Sequence, residues 1–449
     1  MSMLREMTPP RRGRPPARNE ILRSGRLGGL EPEDLATRFG TPLYVYDLDV
    51  ITRQVEALRA VLPPVFELAY AVKANPALAV IAHLGGLGLG ADVASAGELT
   101  SVVKSGIDAG DVVFTGPGKR DDELLQAVRA GVRAITVESA GELGRLEAIA
   151  ERTESVVPVL LRVSAGEAAG LERVRLVGDD GSGKFGMDRR DLIEVAKRAK
   201  ASPRLELIGL HAFGASNLLD AGALAEHIRW TVNAAAELAR EVGFPLRLVD
   251  VGGGLGIAYD PHEDGLDLVG LGVRLAEQAE AWAADPWTRD MRILMEPGRF
   301  LVGPAGAYLA RVVDRKTVGR ETVVVLDGGI HHLIRPALTG QEHRVRALGH
   351  GVNRERAWPV TVAGPLCSGL DVFTRHAILA PPDVGELVAV LDAGAYGYTE
   401  SMPFFLSHPI PAEVAIRARR AELIRPRMEP VEWLSRQRLP DWPRSDDRN

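Results

Sequence analysis

Apolar positions along this chain fall into two textures that meet near residue 302. From about Pro42 to Val302, short β-rich runs alternate with stretches patterned at helical spacing. The runs of strand length are Pro42–Tyr46, Glu67–Val72, Val112–Thr115, Ala134–Val137, Pro158–Val163, Leu207–His211, Leu246–Val251 and Ile293–Glu296. Asp121–Ala130 and Ala221–Val242 are among the helical stretches between them. Alternating β and α units build a parallel sheet with crossover helices. Roughly eight such units suit a closed (β/α)8 barrel, which takes about 250 residues. After Phe300 the β-branched runs Tyr308–Val313, Thr322–Leu326, Val360–Val362 and Leu387–Leu391 recur without long helices, as in an antiparallel β-domain.

The expected fold class is therefore α/β, with a barrel over 42–302 and a C-terminal antiparallel β-domain over 303–424 that also takes in 26–41. Residues 1–25 read as a disordered N-terminal tail. Met1–Arg18 is rich in Arg and Pro, with too little apolar surface to offset the entropy of ordering. Residues 425–449, Arg- and Pro-rich with Trp433 and Trp442, read as a surface-hugging or loose C-terminal tail.

Composition narrows the function classes. Hydrophobic content of 46% and charged content of 25% over 449 residues are ordinary for a globular protein. A net charge of −6 gives no reason to expect nucleic acid as a partner. No apolar stretch reaches the ~18 residues of a membrane helix. The pair Arg11-Arg12 is not followed by the apolar region of a secretion signal, so the expected location is cytoplasmic. The single cysteine, Cys367, excludes a disulfide framework within the chain and any Cys-based zinc site.

The most informative segment is Tyr70-Ala-Val-Lys73-Ala-Asn-Pro76. A lysine closing an apolar strand sits at the C-terminal mouth of a barrel, where barrel active sites lie. Desolvation there is expected to lower its pKa and make it nucleophilic towards an aldehyde. Taken alone, the same lysine reads equally well as a strand-end residue snorkelling to solvent. Asp250-Val-Gly-Gly-Gly-Leu-Gly256 follows another apolar strand, and consecutive glycines let backbone N–H groups close around a phosphate. A dinucleotide fingerprint would want such a loop in a first βα unit, and this one comes late. Glu296-Pro-Gly-Arg299 stands at a further strand end, with a carboxylate suited to keeping a pyridine nitrogen protonated.

In this order the motifs resemble the fold-type III pyridoxal-phosphate-dependent decarboxylases, the group of ornithine, arginine and diaminopimelate decarboxylases. The resemblance spans about Leu30 to Leu423. It implies an alanine-racemase-like (β/α)8 barrel with a C-terminal β-domain, a head-to-tail homodimer, and pyridoxal 5′-phosphate held on Lys73 as a Schiff base. It further implies that Gly252, Gly253 and Gly254 bind the phosphate, that Glu296 faces the ring nitrogen, and that His211 stacks on the ring. Gly298 and Arg299 lie near phosphate or substrate, and Tyr396 of Gly394-Ala-Tyr-Gly397 reaches the phosphate. Ser216 falls where the family has a phosphate-touching Ser or Thr, although Phe213-Gly-Ala-Ser-Asn217 departs from the usual order. Cys367, in Gly364-Pro-Leu-Cys-Ser-Gly-Leu-Asp371, is implied to cross into the partner's site and protonate the α-carbon after CO2 leaves.

The substrate is where this chain departs. The family's diamine decarboxylases carry an acid after the cysteine to hold the distal ammonium, and here that residue is Ser368. A hydroxyl does not offset the cost of burying an ammonium. Asp327-Gly-Gly-Ile-His-His332 and Phe405-Leu-Ser-His-Pro-Ile-Pro411 resemble a smaller branch, whose members decarboxylate glutamyl or 3-methylaspartyl groups tethered to an acyl carrier protein in antibiotic pathways. Of His331 and His332, strand alternation would turn only one, taken as His332, towards substrate. Arg335 resembles the arginine that binds a distal carboxylate in diaminopimelate decarboxylases, so a free carboxylate, a carrier-linked carbonyl or a phosphopantetheine group all fit it. Arg299, Arg335, Ser368 and His332 are thus the substrate candidates, and Arg344 and Arg346 are candidates for docking an acidic carrier. No metal is expected. The alternatives are a diaminopimelate-type decarboxylase of a free amino acid, then an amino-acid racemase or a non-catalytic homologue.

Overall fold

The computed structural model describes residues 24–164, 184–214, 216–260, 262–348 and 357–441. The expected N-terminal tail therefore lies almost wholly outside the described residues, as does Trp442.

The first strand, β1 (Leu43–Asp47), runs into the helix Leu48–Arg59, whose entry is fixed by Asp47: its carboxylate accepts from the N–H groups of Asp49 and Val50. The barrel follows as eight parallel strands: β2 (Phe66–Ala71), β3 (Gly90–Val93), β4 (Val112–Phe114), β5 (Ala134–Val137), β6 (Val157–Arg162), β7 (Leu205–His211), β8 (Leu248–Asp250) and β9 (Arg292–Met295). They close in sequence order, with β9 pairing back onto β2. Crossover helices separate them, several with polar caps. Ser139 caps Ala140–Arg152, and Asp220 caps Ala221–Val242.

The second unit contains β1 together with β10 (Gly306–Val318), β11 (Glu321–Leu326), β12 (Val345–Ala347), β13 (Trp358–Ala363), β14 (Val372–Leu379), β15 (Leu387–Leu391), β16 (Ala412–Arg417) and β17 (Arg420–Arg425). Most pairings are antiparallel, but β1 runs parallel to β16 and β11 parallel to β13, so the sheet is mixed.

The first apolar run is therefore not a barrel strand. Residues 43–47 are buried at every position and pair with β10 and β16. The barrel strand in its place is β3, whose four residues Gly-Ala-Asp-Val are too short and too polar to signal a strand. The expected tail from Arg425 is also partly folded. Arg425 ends β17, pairs with Glu413 and lies 4.0 Å over the Tyr398 ring. Beyond it, Pro430–Leu434 is helical.

Candidate active site

Strand periodicity builds the site. Inside the barrel one apolar layer comprises Ala69, Val113, Ala134, Leu160, Ile208, Leu248 and Leu294, all buried. Side chains two residues on along a strand face the same way. That step carries Val113 to Thr115, Leu160 to Arg162, Leu248 to Asp250 and Leu294 to Glu296, and two steps carry Ala134 to Glu138. Lys73 follows β2, Asp92 lies in β3, and His211 ends β7. The C-terminal mouth of the barrel is thus a ring of polar and charged groups above an apolar floor.

Lys73 Nζ donates to Asp92 Oδ2 at 3.0 Å, and Asp92 Oδ1 accepts from the Thr115 hydroxyl at 2.6 Å. The lysine side chain is 41% accessible. Burial pulls its ammonium down, but Asp92, Glu296 and Tyr396 act the other way and leave its pKa above the ordinary lysine value. This reverses the expected depression. A desolvated lysine falls only when no carboxylate faces it, and here two do.

Opposite stand His211, Asp250 and Glu296, all buried, with ligand atoms within 4.8 Å of one another. Asp250 Oδ1 accepts from the N–H of Gly252 at 2.9 Å. Burial and the neighbouring Asp92 push the Asp250 carboxyl up to about 7. Burial, Asp250 and Asp92 push Glu296 up as well. Each of two facing buried carboxyls makes the other harder to ionise. His211 is kept neutral by burial and by the nearby charges of Arg162 and Lys73. Both its ring nitrogens, Asp250 Oδ2, Glu296 Oε1 and Arg299 Nε are buried without a hydrogen-bond partner among the described residues.

The glycine loop abuts this cluster. Gly252 has φ +66°, and a Cβ there would meet Phe213 and the Ala212 carbonyl at 2.9 Å. At Gly253 it would lie 2.5 Å from the carbonyl oxygen of Glu296, and at Gly298 2.9 Å from Ala74 Cβ. Arg299 donates to the Tyr259 hydroxyl at 2.7 Å and to Ser216 Oγ at 3.3 Å. Its guanidinium is 4.7 Å over the Tyr396 ring, and that of Arg335 is 4.4 Å over the same ring. The second unit brings Tyr396 in through two bonds: Tyr396 N–H donates to the Ala74 carbonyl at 2.7 Å, and Asn75 Nδ2 donates to the Gly394 carbonyl at 2.9 Å.

Lys73, His211, Glu296, Gly252, Gly253, Gly254, Gly298, Arg299, Ser216, Tyr396 and Arg335 thus gather around one mouth. Cys367 and Ser368 do not join them through their bonding. Cys367 is exposed, and Ser368 Oγ accepts from Leu370 N–H within its own loop. His332 is a correction. Its ring nitrogens engage the Tyr308 hydroxyl at 2.9 Å and the Pro409 carbonyl at 3.0 Å, leaving nothing for substrate. Residues 330–332 form a turn, so strand alternation does not apply, and it is the buried His331 whose nitrogens lack partners among the described residues. Arg344 is likewise spent on an ion pair with the buried Asp392 and offers no docking charge.

Sequence reasoning passed over Asp92, Asp250, Tyr259 and two ion pairs at the mouth, Arg162–Glu138 and Lys119–Glu142. Counting by twos from the apolar layer would have found Arg162, Asp250 and Glu138. Two concavities elsewhere hold none of these residues: about 260 Å3 beside the helices Arg189–Ala201 and Ala221–Val242, and about 810 Å3 around Glu67 and Arg133 at the opposite end of the barrel. The N-terminal face of such a barrel serves stability rather than chemistry.

The donor set fits a pyridoxal group: an amine on Lys73, a buried carboxyl for a ring nitrogen, a neutral imidazole and a glycine cradle. The family model described as pyridoxal-dependent decarboxylase, pyridoxal binding domain, matches residues 48–303. The chain belongs to the pyridoxal-dependent decarboxylases. It is 32% identical over 397 residues to an L-glutamyl-(BtrI acyl-carrier protein) decarboxylase of Niallia circulans, covering 87% of this chain and 92% of that protein. It is 33% identical over 405 residues to a diaminopimelate decarboxylase of Aquifex aeolicus, covering 89% and 92%. A diaminopimelate decarboxylase from M. jannaschii in co-complex with L-lysine superposes with a TM-score of 0.86 at 27% identity, covering 93% of this chain and 97% of that one. The enzyme is accordingly a pyridoxal-phosphate-dependent amino-acid decarboxylase with an alanine-racemase-like barrel. Among the described residues no helix is long and apolar enough to cross a membrane.

Proposed function

We propose that this decarboxylase removes the α-carboxylate of an acidic amino acid tethered through its side-chain carboxyl to an acyl carrier protein, in a secondary-metabolite pathway. The observation that carries the reading is Ser368, a hydroxyl where the family's diamine decarboxylases place an acid. A distal ammonium would be buried there without its countercharge. The named specificity of the Niallia circulans relative supports the same substrate class. Diaminopimelate is the second reading, favoured by the diaminopimelate decarboxylases of nearly the same identity.

Lys73 would hold the aldehyde carbon of pyridoxal phosphate, Glu296 its ring nitrogen, His211 its ring face, and Gly252–Gly254 with Ser216 and Tyr396 its phosphate. When bound, the cofactor is the electron sink for the carbanion left by CO2. The protein's own work is positional and protonic. Asp92 holds the Lys73 ammonium at 3.0 Å and fixes the position of the amine. Glu296, buried beside Asp250, keeps a proton at the ring nitrogen's position. Arg299 orients an anionic group with its unpaired Nε. The partner subunit's Cys367, reached across a homodimer interface, returns a proton to the α-carbon.

The test is intact-protein mass analysis of a glutamyl-loaded carrier protein beside assays on free glutamate and free diaminopimelate. Loss of one CO2 from the carrier species, with the free amino acids unchanged, supports the reading. CO2 release from free diaminopimelate with the loaded carrier unchanged transfers the assignment to the second reading.

A further inference from the structure

We infer that Glu400 sets substrate choice at this site: it occupies the guanidinium of Arg335, so that a substrate's distal carboxyl is accepted as an ester, thioester or amide and refused as a free carboxylate. The inference deepens the proposed function: it rests on the tethered substrate proposed there and takes Arg335 as the group that meets the substrate's distal end.

Arg335 is the natural receptor for a distal carboxylate by position. Its guanidinium lies over the Tyr396 ring, and Tyr396 is bonded through its backbone to Ala74, next to Lys73. Yet Nε donates to Glu400 Oε2 at 2.8 Å and Nη2 to Glu400 Oε1 at 3.3 Å, the fork-on-fork geometry an incoming carboxylate would otherwise adopt. The Arg335 side chain is only 7% accessible, whereas that of Glu400 is 30% accessible.

The pair is preformed. Glu400 closes the single turn Tyr398–Glu400, and Ser401 after it accepts from Ile334 N–H at 3.0 Å and donates to the Gly397 carbonyl at 2.8 Å. Those bonds staple the turn to the residue preceding Arg335. The neighbouring cation Arg344 is also engaged, by Asp392. A free carboxylate entering here would have to displace Glu400 or sit against it, two anions on one guanidinium. A neutral carbonyl oxygen meets no such repulsion. The bonds to Glu400 use Nε and Nη2 and leave Nη1 unengaged among the described residues, so a thioester or amide oxygen has a donor.

The experiment uses the cofactor-loaded enzyme and small substrates, so no carrier protein enters it. Wild type and Glu400→Gln are compared on free glutamate and on glutamate γ-methyl ester. The ratio of kcat/KM for ester over acid is expected to fall about tenfold in the variant, through a lower KM for the acid. Glutarate should raise the melting temperature of Glu400→Gln and leave that of wild type unmoved, a readout independent of turnover. In wild type alone, the monoamide glutaramate should inhibit more strongly than glutarate, which keeps the inference testable should the variant fail to fold. A ratio unchanged within twofold in a folded variant, or glutarate inhibiting wild type as well as glutaramate, overturns the role of Glu400. Carrier preference is measured separately, so its loss would overturn the proposed function while leaving a shifted ratio intact.

Discussion

Asp250 ties two parts of the site together through one side chain. One carboxylate oxygen accepts from Gly252 at the head of the glycine loop, and the other faces the Glu296 cluster. In the folded, cofactor-free protein its pKa rises from 3.8 to about 7 because burial disfavours the anion. The folded state therefore keeps a proton that the unfolded chain gives up. That contribution to stability is complete below about pH 3.8, shrinks as the pH rises, and is lost above about 7. His343 and His331 act with the opposite sign. Burial lowers each from 6.5 to about 4, so their contribution is present above 6.5 and is lost as the pH falls towards 4. Asp250→Asn keeps an acceptor for Gly252 and removes the titration. Melting temperatures of cofactor-free protein from pH 5 to 8 should then fall more in wild type than in the variant, and parallel curves would contradict the assignment. At this scale Lys73, Glu296 and the glycines were readable because each terminates an apolar run. Asp92 was not, since β3 has too few apolar residues to announce a strand. Nor was the saturation of His332, which depends on Tyr308 and Pro409 in other segments.

The elements that make the site are strand ends and one returning loop. Residues 394–397 leave β15 and meet the segment after β2, where Asn75 and Ala74 receive them. Asn75 is buried, and its Oδ1 also accepts from Ala77 N–H. Asn75→Ala leaves the Gly394 carbonyl unsatisfied and loosens Tyr396. A stability loss of about 1–3 kcal/mol is expected from the stranded acceptor, together with weaker pyridoxal phosphate retention in equilibrium dialysis. Wild-type retention would mean that the loop is held by other contacts. Gly253→Ala places a methyl against the Glu296 carbonyl. Overpacking of that kind costs about 1–3 kcal/mol, and chemical denaturation should register it. Seven of the eight barrel strands could be recognised from period and composition. The misplaced one, β1, has the same buried, apolar character as a barrel strand, and its true partners β10 and β16 lie more than 200 residues away in sequence. Periodicity reports burial and leaves strand partners open. The parallel pairs β1–β16 and β11–β13 escaped notice for the same reason.

On the scale of the whole molecule, the barrel holds nearly all the ionisable groups of the site, and the second unit adds Tyr396, Arg335 and Glu400. Cys367 is exposed on the second unit, as a residue serving another subunit's site would be. If it serves the partner, Lys73→Ala and Cys367→Ala are each inactive as homodimers, yet an equal mixture regains activity. Random exchange makes half the dimers mixed, with one intact site in each, so about a quarter of wild-type activity is expected. No recovery after verified subunit exchange would place the cysteine's role within its own chain. The two-unit architecture and the family were legible because the motifs keep their order over most of the chain. Substrate choice was only half legible: Ser368 could be read directly, whereas the Arg335–Glu400 pair joins residues 65 apart in sequence and had to be seen in space.

The proposed chemistry passes through the amine of Lys73. Purified enzyme reduced with borohydride, digested and mapped by peptide mass should carry the phosphopyridoxyl group on the peptide containing Lys73, and Lys73→Ala should carry none. A label on any other lysine in wild type, or an undiminished label in the variant, would contradict it.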